Sequence, residues 1–550
     1  MASLRLALHR PRSPRTVVVA LALWLTVIGN LALWRALWRD GGSVDLVILG
    51  AGSVVIVFAA TVALMALTAW GRAMKPLWIA ILVAAGVAQH FMLNFGSVMD
   101  AAMLANTMQT DPREVRDLLG VPIFADILFV AAVPSVLLWI VPVRRTAWWP
   151  QLWKNTALFA CAVAATLLAS FSMYSQLSPL VRNHMNLRYM VNPIGGLTSA
   201  VWVVVRPVFK KSDKLVIISG GAALGPSYAA QTRPPLLVIV VGETARADHF
   251  ALNGYPRPTT PELAALDVLS FHDVRSCGTD TRDSVPCMFS SLAKTAFEKR
   301  SAEQENLLDV LQAAGLAVLW IDNQAGCKEV CGRVPHASTS ELPAAATKGL
   351  CSDGECFDDA LLVDLDARIA RLALERRRRG IVLVMHQMGS HGPAYFKRSP
   401  PSRKRFMPEC TNAALGSCDH AQLVNAYDNT IATTDHFLAA TIAWLKTKDG
   451  YAPGLLYMSD HGESLGELGI YLHGLPYSIA PETQKRVPFV AWLGPALTER
   501  RGIDTACLRR HLDDKLSHDN LYHTAVGVLD VTTPTYLPAL DAFAPCRAIP

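Results

Sequence analysis

Acidic and histidine side chains follow three separate apolar segments in the C-terminal half of the chain. In chain order, the three segments lead to Glu243, to His391, and to the neighbours Asp460 and His461. Carboxylate oxygens and imidazole nitrogens are ligands that zinc takes from proteins. Each residue alone has a plainer explanation, because an Asp after a strand often caps the next helix. The three positions together predict a metal site.

A hydroxyl-rich segment between two cysteines is the second feature that could carry chemistry. It reads CGTDTRDSVPC, and its hydroxyl groups at Thr281 and Ser284 precede a predicted helix. Such residues usually cap the helix. The alternative is that the helix start offers its amide groups to a phosphate. A hydroxyl beside a metal cation there could act as the nucleophile, because coordination lowers the pKa of an oxygen ligand.

Short, continuous apolar segments of the C-terminal half predict buried parallel strands. These segments are residues 236–241, 317–321, 381–385, 455–458 and 488–492. Helical patterns lie between them at residues 303–313, 357–378 and 425–446. The alternation of strands and helices predicts an α/β/α sandwich. In such a sheet, ligands bind beyond the carboxyl ends of the strands, where the acidic and histidine residues lie.

The chain as a whole is more apolar than a typical soluble enzyme, with 51% hydrophobic and 17% charged residues among 550. This composition excludes a disordered chain. Apolar stretches near the ~20 residues that a helix needs to cross a bilayer predict five membrane spans. They are residues 16–34, 45–70, 76–95, 121–143 and 156–176.

Basic residues give these spans an orientation. They precede the first span and lie between the second and third and between the fourth and fifth, so these loops should face the cytoplasm. An odd number of crossings then places the C-terminal half in the periplasm of a bacterial cell. We therefore expect a five-helix transmembrane domain at 1–177 with a periplasmic loop at 96–120, a basic and aromatic interfacial linker at 178–232, and a catalytic domain at 233–550. The net charge of +6 is explained by the cytoplasmic loops and lipid contact, without a nucleic-acid partner.

Ten of the eleven cysteines lie beyond residue 270, which indicates an oxidising compartment. Pairing of nearest neighbours is the simplest scheme, although spacing alone does not determine connectivity. It gives the pairs Cys277 and Cys287, Cys327 and Cys331, Cys351 and Cys356, Cys410 and Cys418, and Cys507 and Cys546. A zinc ribbon built from the second and third pairs is the competing interpretation.

The combined pattern resembles the phosphoethanolamine transferases of the bacterial inner membrane, especially the lipid A-modifying and mobile colistin-resistance enzymes. The resemblance covers essentially the whole chain. Its most specific stretches are VVGETARADHFALNGYPRPTTP, SCGTDTRDSVPCMFS, MHQMGSHGPAYFKR and SDHGESLGELGIYLHG. It implies five spans followed by a soluble α/β/α sandwich of the alkaline phosphatase and sulfatase type.

Carried over to this sequence, the resemblance implies a zinc site and a nucleophile. Glu243, Asp460 and His461 would be zinc ligands, and Thr281 would be both the fourth ligand and the nucleophile. One zinc ion is thus expected.

Further residues match positions of the family that contact the substrates. His391 and His473 match substrate-phosphate positions, where they would either bind a second zinc ion or supply the leaving-group proton. Lys328 matches another substrate contact, with an ordinary surface lysine as the alternative. His386 is taken as a core residue or one that supports the site.

The loop before the fourth span carries two more matched positions, Asn106 and Glu114, which would hold the lipid substrate. A second explanation holds for this segment, in which Asp111, Pro112 and Glu114 form a capping-box-like helix start. The chain departs from the family pattern at Asp280, Arg282 and Asp283, which place three charges around the expected nucleophile.

The function implied is transfer of phosphoethanolamine from phosphatidylethanolamine to a phosphate of lipid A through a phosphothreonine intermediate. The added amine lowers the negative charge of the envelope, so polymyxin resistance should follow. The enzyme would be a monomeric, multi-pass protein of the inner membrane with a cytoplasmic N-terminus. Alternatives are an acceptor in the lipopolysaccharide core or another envelope glycan, a related membrane phosphatase or sulfatase, and an inactive membrane-tethered sensor.

Overall fold

The structure is a computed structural model. It describes residues 10–40, 46–108, 121–174, 185–205, 212–229, 233–352 and 354–548, together with residues 115, 118 and 177. The chain divides into two units. The described residues of the N-terminal unit end at Val205, and those of the C-terminal unit begin at Ser212.

The N-terminal unit is helical. Its helices are α1 (Pro14–Val27), α2 (Leu31–Asp40), α3 (Leu46–Ala66), α4 (Lys75–Asn94), α5 (Ala101–Thr107), α6 (Val121–Ile127), α7 (Val133–Ile140), α8 (Trp148–Ser172) and α9 (Ile194–Val205). A π-helical segment, Leu128–Ala132, joins α6 to α7. Buried apolar residues of α1, α3, α4 and the π-helical segment form one core.

Three helices of the described residues are long and apolar enough to cross a membrane: Arg72–Asn94, Ile123–Ile140 and Trp148–Ser172. A fourth candidate is the pair Pro14–Val27 and Leu31–Arg39, which is bent by 42°. These correspond to four of the five predicted spans. The predicted second span appears among the described residues as the shorter apolar helix Gly50–Ala66, so the fifth crossing stays a prediction.

The C-terminal unit is an α/β structure. Its strands are β1 (Ser212–Val216), β2 (Ala223–Leu224), β3 (Pro235–Gly242), β4 (Leu269–Phe271), β5 (Asp273–Arg275), β6 (Ala302–Gln304), β7 (Ala317–Asp322), β8 (His336–Ser338), β9 (Cys351–Ser352), β10 (Glu355–Cys356), β11 (Ile381–His386), β12 (Ala452–Ser459), β13 (Ser464–Leu465), β14 (Tyr471–Leu472), β15 (Phe489–Leu493), β16 (Lys515–Ser517) and β17 (Val531–Thr532). Its α-helices are α10 (Pro261–Ala264), α11 (Thr281–Met288), α12 (Lys294–Lys299), α13 (Leu307–Ala313), α14 (Leu365–Ala370), α15 (Leu374–Arg377), α16 (His420–Lys446), α17 (Pro495–Arg501), α18 (Thr505–Leu508) and α19 (Asp519–Val528).

Seven of the described strands form the central sheet in the order β4-β15-β12-β3-β11-β7-β8. The strands β12, β3, β11, β7 and β8 run parallel. Alternate residues of β3, including Leu237 and Ile239, share a core with α13 and α19. Because successive side chains of a strand point to opposite faces, the other face of the sheet is left for α16, which packs against β12. The described sheet is therefore covered by helices on both faces.

The structure corrects three details of the sequence-based prediction. β15 is antiparallel to both of its neighbours, whereas a parallel strand was expected at 488–492. The predicted helix at 357–378 consists of a 3-10 helix at Asp358–Leu362 and the short helices α14 and α15. Asp364, with a left-handed φ of 53°, separates the 3-10 helix from α14, and Ala373, with a non-helical ψ of 124°, precedes α15. The predicted helix at 303–313 begins only at Leu307, since residues before it form β6.

Part of the predicted linker at 178–232 is folded. β1 pairs with β6, and β2 pairs with β17 near the end of the chain. These residues therefore belong to the C-terminal unit and are not a free connection.

Five disulfide bonds join the nearest-neighbour cysteine pairs. They link Cys277 to Cys287, Cys327 to Cys331, Cys351 to Cys356, Cys410 to Cys418, and Cys507 to Cys546. The structure thus pairs the cysteines of the alternative zinc ribbon as disulfides. The bond between Cys277 and Cys287 ties the start of α11 to its last turn.

Candidate active site

Two adjacent parallel strands bring the acidic residues of the site together. Glu243 directly follows β3, while Asp460 and His461 directly follow β12, and the register pairs Ser459 with Gly242. All three side chains are buried, with exposed fractions of 1% or less. One ligand atom of each lies within 4.8 Å of the others. The carboxyl ends of β3 and β12 therefore create a compact group of two carboxylates and one imidazole.

The chemistry of this group fits a bound cation. The Nε2 atom of His461 lies 3.4 Å from Oδ2 of Asp460 and 3.5 Å from Oε1 of Glu243. Oδ2 of Asp460 is buried and has no hydrogen-bond partner among the described residues. Burial alone would lower the pKa of His461, but Asp460 and Glu243 outweigh it and raise that pKa to about 9. The site thus favours a positive charge between its two carboxylates, and these donors are ones that zinc accepts.

The ring of His461 is held in one orientation by its other nitrogen. Nδ1 of His461 lies 2.9 Å from the carbonyl oxygen of Gly462, which can only accept a hydrogen bond. Nδ1 must therefore carry a proton. In the neutral ring, this leaves the lone pair of Nε2 directed toward the carboxylates, as a metal ligand requires.

Thr281 is the first residue of α11, and its hydroxyl lies against the acidic group. Its Oγ1 donates a hydrogen bond of 3.1 Å to Oε2 of Glu243 and lies 3.4 Å from Nε2 of His461. Thr281 does not cap its helix. That role belongs to Asp280, whose side chain accepts from the backbone N–H of Asp283 at 2.9 Å. The hydroxyl of Thr281 is consequently available for chemistry.

The three charges next to Thr281 have different surroundings. Asp280 is buried, and burial together with the nearby Asp283 raises its pKa. Asp283 is exposed and Arg282 is half-buried. The Asp280 carboxyl also fixes the start of α11, so this departure from the family pattern has a structural role.

His391 and His473 lie on the same side of the site as His461. The ring centroids of His461 and His473 are 4.3 Å apart, and those of His391 and His473 are 5.9 Å apart. Burial lowers the pKa of both His391 and His473 to about 3, so both rings are neutral. A neutral imidazole can accept a proton or bind a metal ion.

The other predicted substrate contacts have different outcomes. Lys328 lies in the loop after β7, where its Nζ donates to the carbonyl oxygen of Ala325 at 3.3 Å. Asn106 lies in α5 of the N-terminal unit and is half-buried. Glu114 lies outside the described residues.

Sequence reasoning missed Gln324 and Thr244. Nε2 of Gln324 donates to Oε2 of Glu243 at 2.9 Å, and the hydroxyl of Thr244 donates to Oε1 of the same carboxylate. Gln324 follows β7, so its position just after a strand was the available signal.

His386 forms no hydrogen bond with Glu243, Asp460 or His461 among the described residues. It pairs instead with Asp322, at 3.2 Å between Nδ1 and Oδ2.

His518 is a further residue without a local signal in the sequence. Its Nδ1 accepts from the backbone N–H of Cys277 at 3.0 Å, and its Nε2 donates to the carbonyl oxygen of Ser459 at 2.9 Å. This buried ring therefore connects the segment before Thr281 with the strand end before Asp460.

Comparison with known proteins identifies the family. A sulfatase family model matches residues 235–531, and a model described as phosphoethanolamine transferase EptA/EptB matches residues 57–208. Phosphoethanolamine transferase EptA of Salmonella typhimurium is 35% identical over 537 residues, which cover 96% of each chain. The chain belongs to the phosphoethanolamine transferase family. Phosphatidylethanolamine transferase Mcr-1 of Escherichia coli is 36% identical over 533 residues, which cover 95% of this chain and 96% of that protein.

A solved structure gives the same result for the fold. The integral membrane protein lipooligosaccharide phosphoethanolamine transferase A of Neisseria meningitidis superimposes with a TM-score of 0.91 at 30% identity, covering 97% of this chain and 99% of that one. The chain is thus a phosphoethanolamine transferase, an integral membrane enzyme with an apolar helical N-terminal part and a sulfatase-like soluble part. The family predicted from the sequence motifs is confirmed.

Proposed function

We propose that this enzyme transfers phosphoethanolamine from phosphatidylethanolamine to a phosphate of lipid A through a covalent intermediate on Thr281. The observation that carries the proposal is the position of Oγ1 of Thr281, 3.1 Å from Glu243 and 3.4 Å from His461. A hydroxyl held there, at the start of a helix, is suited to attack a phosphorus atom.

Glu243, Asp460, His461 and Thr281 would hold one zinc ion. The two carboxylates, the oriented imidazole and the hydroxyl supply four donors, the number that zinc commonly takes. When bound, zinc would supply Lewis acidity and lower the pKa of the Thr281 hydroxyl. The unpartnered Oδ2 of Asp460 supports this assignment.

The reaction has two displacement steps. Oγ1 of Thr281 attacks the phosphorus of phosphatidylethanolamine, and the bond from phosphorus to the glycerol oxygen breaks. Diacylglycerol leaves with a proton, and phosphoethanolamine stays on Thr281. A protonated phosphate of the acceptor then attacks the same phosphorus through one of its oxygens, the bond to Oγ1 breaks, and Oγ1 takes up the proton that the acceptor phosphate loses. Because both steps are substitutions at phosphorus, one site serves donor and acceptor in turn.

His391 and His473 are assigned to the phosphate that is transferred. Both are neutral, His473 lies next to His461 and His391 lies next to His473, so each can take up a proton or bind a second zinc ion. Lys328, Asn106 and Glu114 are assigned to substrate binding from the resemblance of their motifs. A lysine suits a phosphate, and a carboxylate suits the ethanolamine ammonium group.

Lipid A is the acceptor that the comparisons favour. The Neisseria meningitidis relative is named for lipooligosaccharide, and Kdo(2)-lipid A phosphoethanolamine 7''-transferase of Escherichia coli, 26% identical over 483 residues, is named for lipid A. Addition of a cationic amine to a lipid A phosphate would reduce the negative charge that attracts polymyxins. An acceptor in the core of lipopolysaccharide or in another glycan is the alternative.

The membrane part is assigned five spans, an inner-membrane location and a cytoplasmic N-terminus, so that the site faces the periplasm. The three apolar helices and the bent pair support four of these spans, and the five disulfides suit an oxidising compartment. Confinement of enzyme and lipids to one membrane favours their encounter. A monomer is sufficient for this reaction because all four proposed zinc-binding residues come from one chain.

Product analysis with labelled phosphatidylethanolamine tests the proposal. The full enzyme in lipid nanodiscs should move the label to lipid A, and Thr281→Ala should abolish transfer without lowering the apparent Tm. Release of free labelled phosphoethanolamine would indicate a hydrolase instead. Transfer by Thr281→Ala at the parent rate would refute the nucleophile assignment.

A further inference from the structure

Two apolar helices of the N-terminal unit contain a pair of ionisable side chains, one buried and one half-buried. His90 lies in α4, and Asp126 lies in α6. Nδ1 of His90 is 2.8 Å from Oδ2 of Asp126. The amide of Asn94 donates to the same oxygen at 3.4 Å and to the carbonyl oxygen of His90 at 3.0 Å. The proposed zinc site does not use any of these residues.

Such a pair is costly in its position. Both side chains lie within helices that are long and apolar enough to cross a membrane, Arg72–Asn94 and Ile123–Ile140. Ionisable side chains within membrane-spanning helices are rare and usually mark a functional site. A chain selected only for stability would place apolar residues here.

The hydrogen bonds from His90 and Asn94 use only one of the two carboxylate oxygens of Asp126. A carboxylate only accepts hydrogen bonds, so Nδ1 of His90 carries the proton that joins the two residues. The ring of His90 is also fixed by edge contacts with Phe91 and Phe95. The hydrogen bonds from His90 and Asn94 both go to Oδ2 of Asp126, and 28% of the Asp126 side chain is exposed. Oδ1 is a second acceptor on the same carboxylate.

The backbone next to Asp126 has an unusual conformation. The π-helical segment Leu128–Ala132 begins two residues after Asp126. Single π-helical turns inside α-helices are rare and frequently occur at functional sites. This second observation supports a functional role for this part of the helix, independently of the charged pair.

The pair lies near one end of its two helices. His90 is four residues from the end of α4 at Asn94, which corresponds to about 6 Å along a helix axis. Asp126 is in the first two turns of its helix. In the proposed topology these ends are the periplasmic ones, where the headgroups of the outer leaflet lie.

We propose that Asp126, oriented by His90, binds the primary ammonium group of an ethanolamine lipid in the outer leaflet. The ligand class follows from three observations: a carboxylate accepts hydrogen bonds from an ammonium group, the hydrogen bonds from His90 and Asn94 use only Oδ2, and the partly exposed side chain lies at the headgroup end of its helix. This inference rests on the proposed function, since phosphatidylethanolamine is the donor assigned there. The site holds donor lipid in the membrane before its phosphate reaches Thr281.

Lipid binding to the full-length protein tests this site without the transfer reaction. Native mass spectrometry in detergent compares phosphatidylethanolamine with phosphatidylglycerol, which has a headgroup of similar size but no ammonium. We expect the parent to prefer phosphatidylethanolamine and Asp126→Asn to lose that preference by about tenfold, the effect of one charge-assisted hydrogen bond of ~1.4 kcal/mol. Asp126→Glu should restore most of it.

Asn155→Leu is the matched control in the same unit. Asn155 is buried and donates to the carbonyl oxygen of Ala69, which Gln151 also binds, so its loss removes a polar contact without touching the pair. This variant should keep the lipid preference. Equal binding of the two lipids by the parent, or an unchanged preference in Asp126→Asn, would overturn the inference.

Kinetics in nanodiscs separate this inference from the proposed function. Asp126→Asn should raise KM for phosphatidylethanolamine about tenfold and leave kcat unchanged. A purely structural role of Asp126 would instead lower the apparent Tm of the variant and leave its KM unchanged. If phosphatidylethanolamine binds with the expected preference but is not a donor, the proposed function fails and the binding site stands. If it is a donor and Asp126→Asn keeps the parent KM, the binding site fails.

Discussion

Replacement of Asp460 by Asn should have opposite effects on stability with and without zinc. The side chain of Asp460 is fully buried. Oδ1 accepts from the backbone N–H groups of Thr244 and His461 at 3.2 and 2.8 Å, while Oδ2 has no partner among the described residues. An amide can keep the contacts of Oδ1 and removes one of two negative charges that the site buries together.

The magnitude follows from these contacts. In the metal-free variant, the imidazole of His461 keeps Glu243 as its charged partner at 3.5 Å. A buried acceptor without a hydrogen-bond partner costs about 1–3 kcal/mol, so metal-free Asp460→Asn should be about 2 kcal/mol more stable than the metal-free parent. Zinc at about a thousand times its Kd adds about 4 kcal/mol to the parent. The variant lacks one ligand and should gain little from zinc. The order of stability therefore reverses between the two conditions.

The assay is the apparent Tm of the full-length protein in one detergent, with a chelator or with excess zinc. At about 2 °C per kcal/mol, zinc should raise the Tm of the parent by about 8 °C, and the variant in chelator should melt about 4 °C above the parent. Asp428→Asn is the control, because Asp428 is equally buried but bonded to His249, Tyr255 and Arg257. It should lower the Tm in both conditions. A variant at Asp460 that is less stable than the parent in chelator, or that gains the full zinc effect, would refute this reasoning.

Three further predictions concern residues around the site. Gln324→Leu removes the 2.9 Å hydrogen bond to Glu243 and should lower kcat about tenfold. The control Gln312→Leu removes an exposed hydrogen bond and should keep the parent kcat. Equal kcat values for the two variants would contradict a role of Gln324 in the site. Burial lowers the pKa of His518 to about 3, so the native state binds fewer protons than the unfolded state below pH 6.5. His518 should thus lower the free energy of unfolding by about 2 kcal/mol as the pH falls from 7 to 5. In denaturant titrations, the free energy of unfolding of His518→Gln should fall less steeply over this pH range, and a fall as steep as that of the parent would argue against the prediction. Replacement of both Cys277 and Cys287 by Ala should lower kcat, because their disulfide constrains the helix that begins at Thr281. The same change at Cys410 and Cys418 should leave kcat intact. A larger loss of kcat in the second variant than in the first would show that the bond between Cys277 and Cys287 does not position Thr281.

The acidic centre of the site was predictable because of a general property of parallel sheets. Glu243 and Asp460 follow continuous apolar segments that could only be buried strands, and the carboxyl ends of adjacent parallel strands meet at one edge. The direction of β15 was not predictable, since a continuous apolar segment looks the same in either direction. Composition indicates burial but does not determine pairing.

The supporting residues depend on contacts between distant parts of the chain. Gln324 reaches Glu243 across 81 positions, and His518 joins Cys277 to Ser459 across 241 and 59 positions. The position of Gln324 just after a strand was a weak local signal, and His518 had none, because the partners of both residues follow from the order of strands and the packing of α19. The interruptions of the predicted helix at Asp364 and Ala373 were likewise hidden, since the apolar spacing of this segment is helical.

The covalent state of Thr281 tests the central claim most directly. The full-length enzyme is incubated with labelled phosphatidylethanolamine without an acceptor, and the peptide that contains Thr281 is examined by mass spectrometry. We expect one phosphoethanolamine group on Thr281, which disappears when lipid A is added and appears on lipid A at the same rate. A group on another residue, or transfer to lipid A by Thr281→Ala, would contradict the claim.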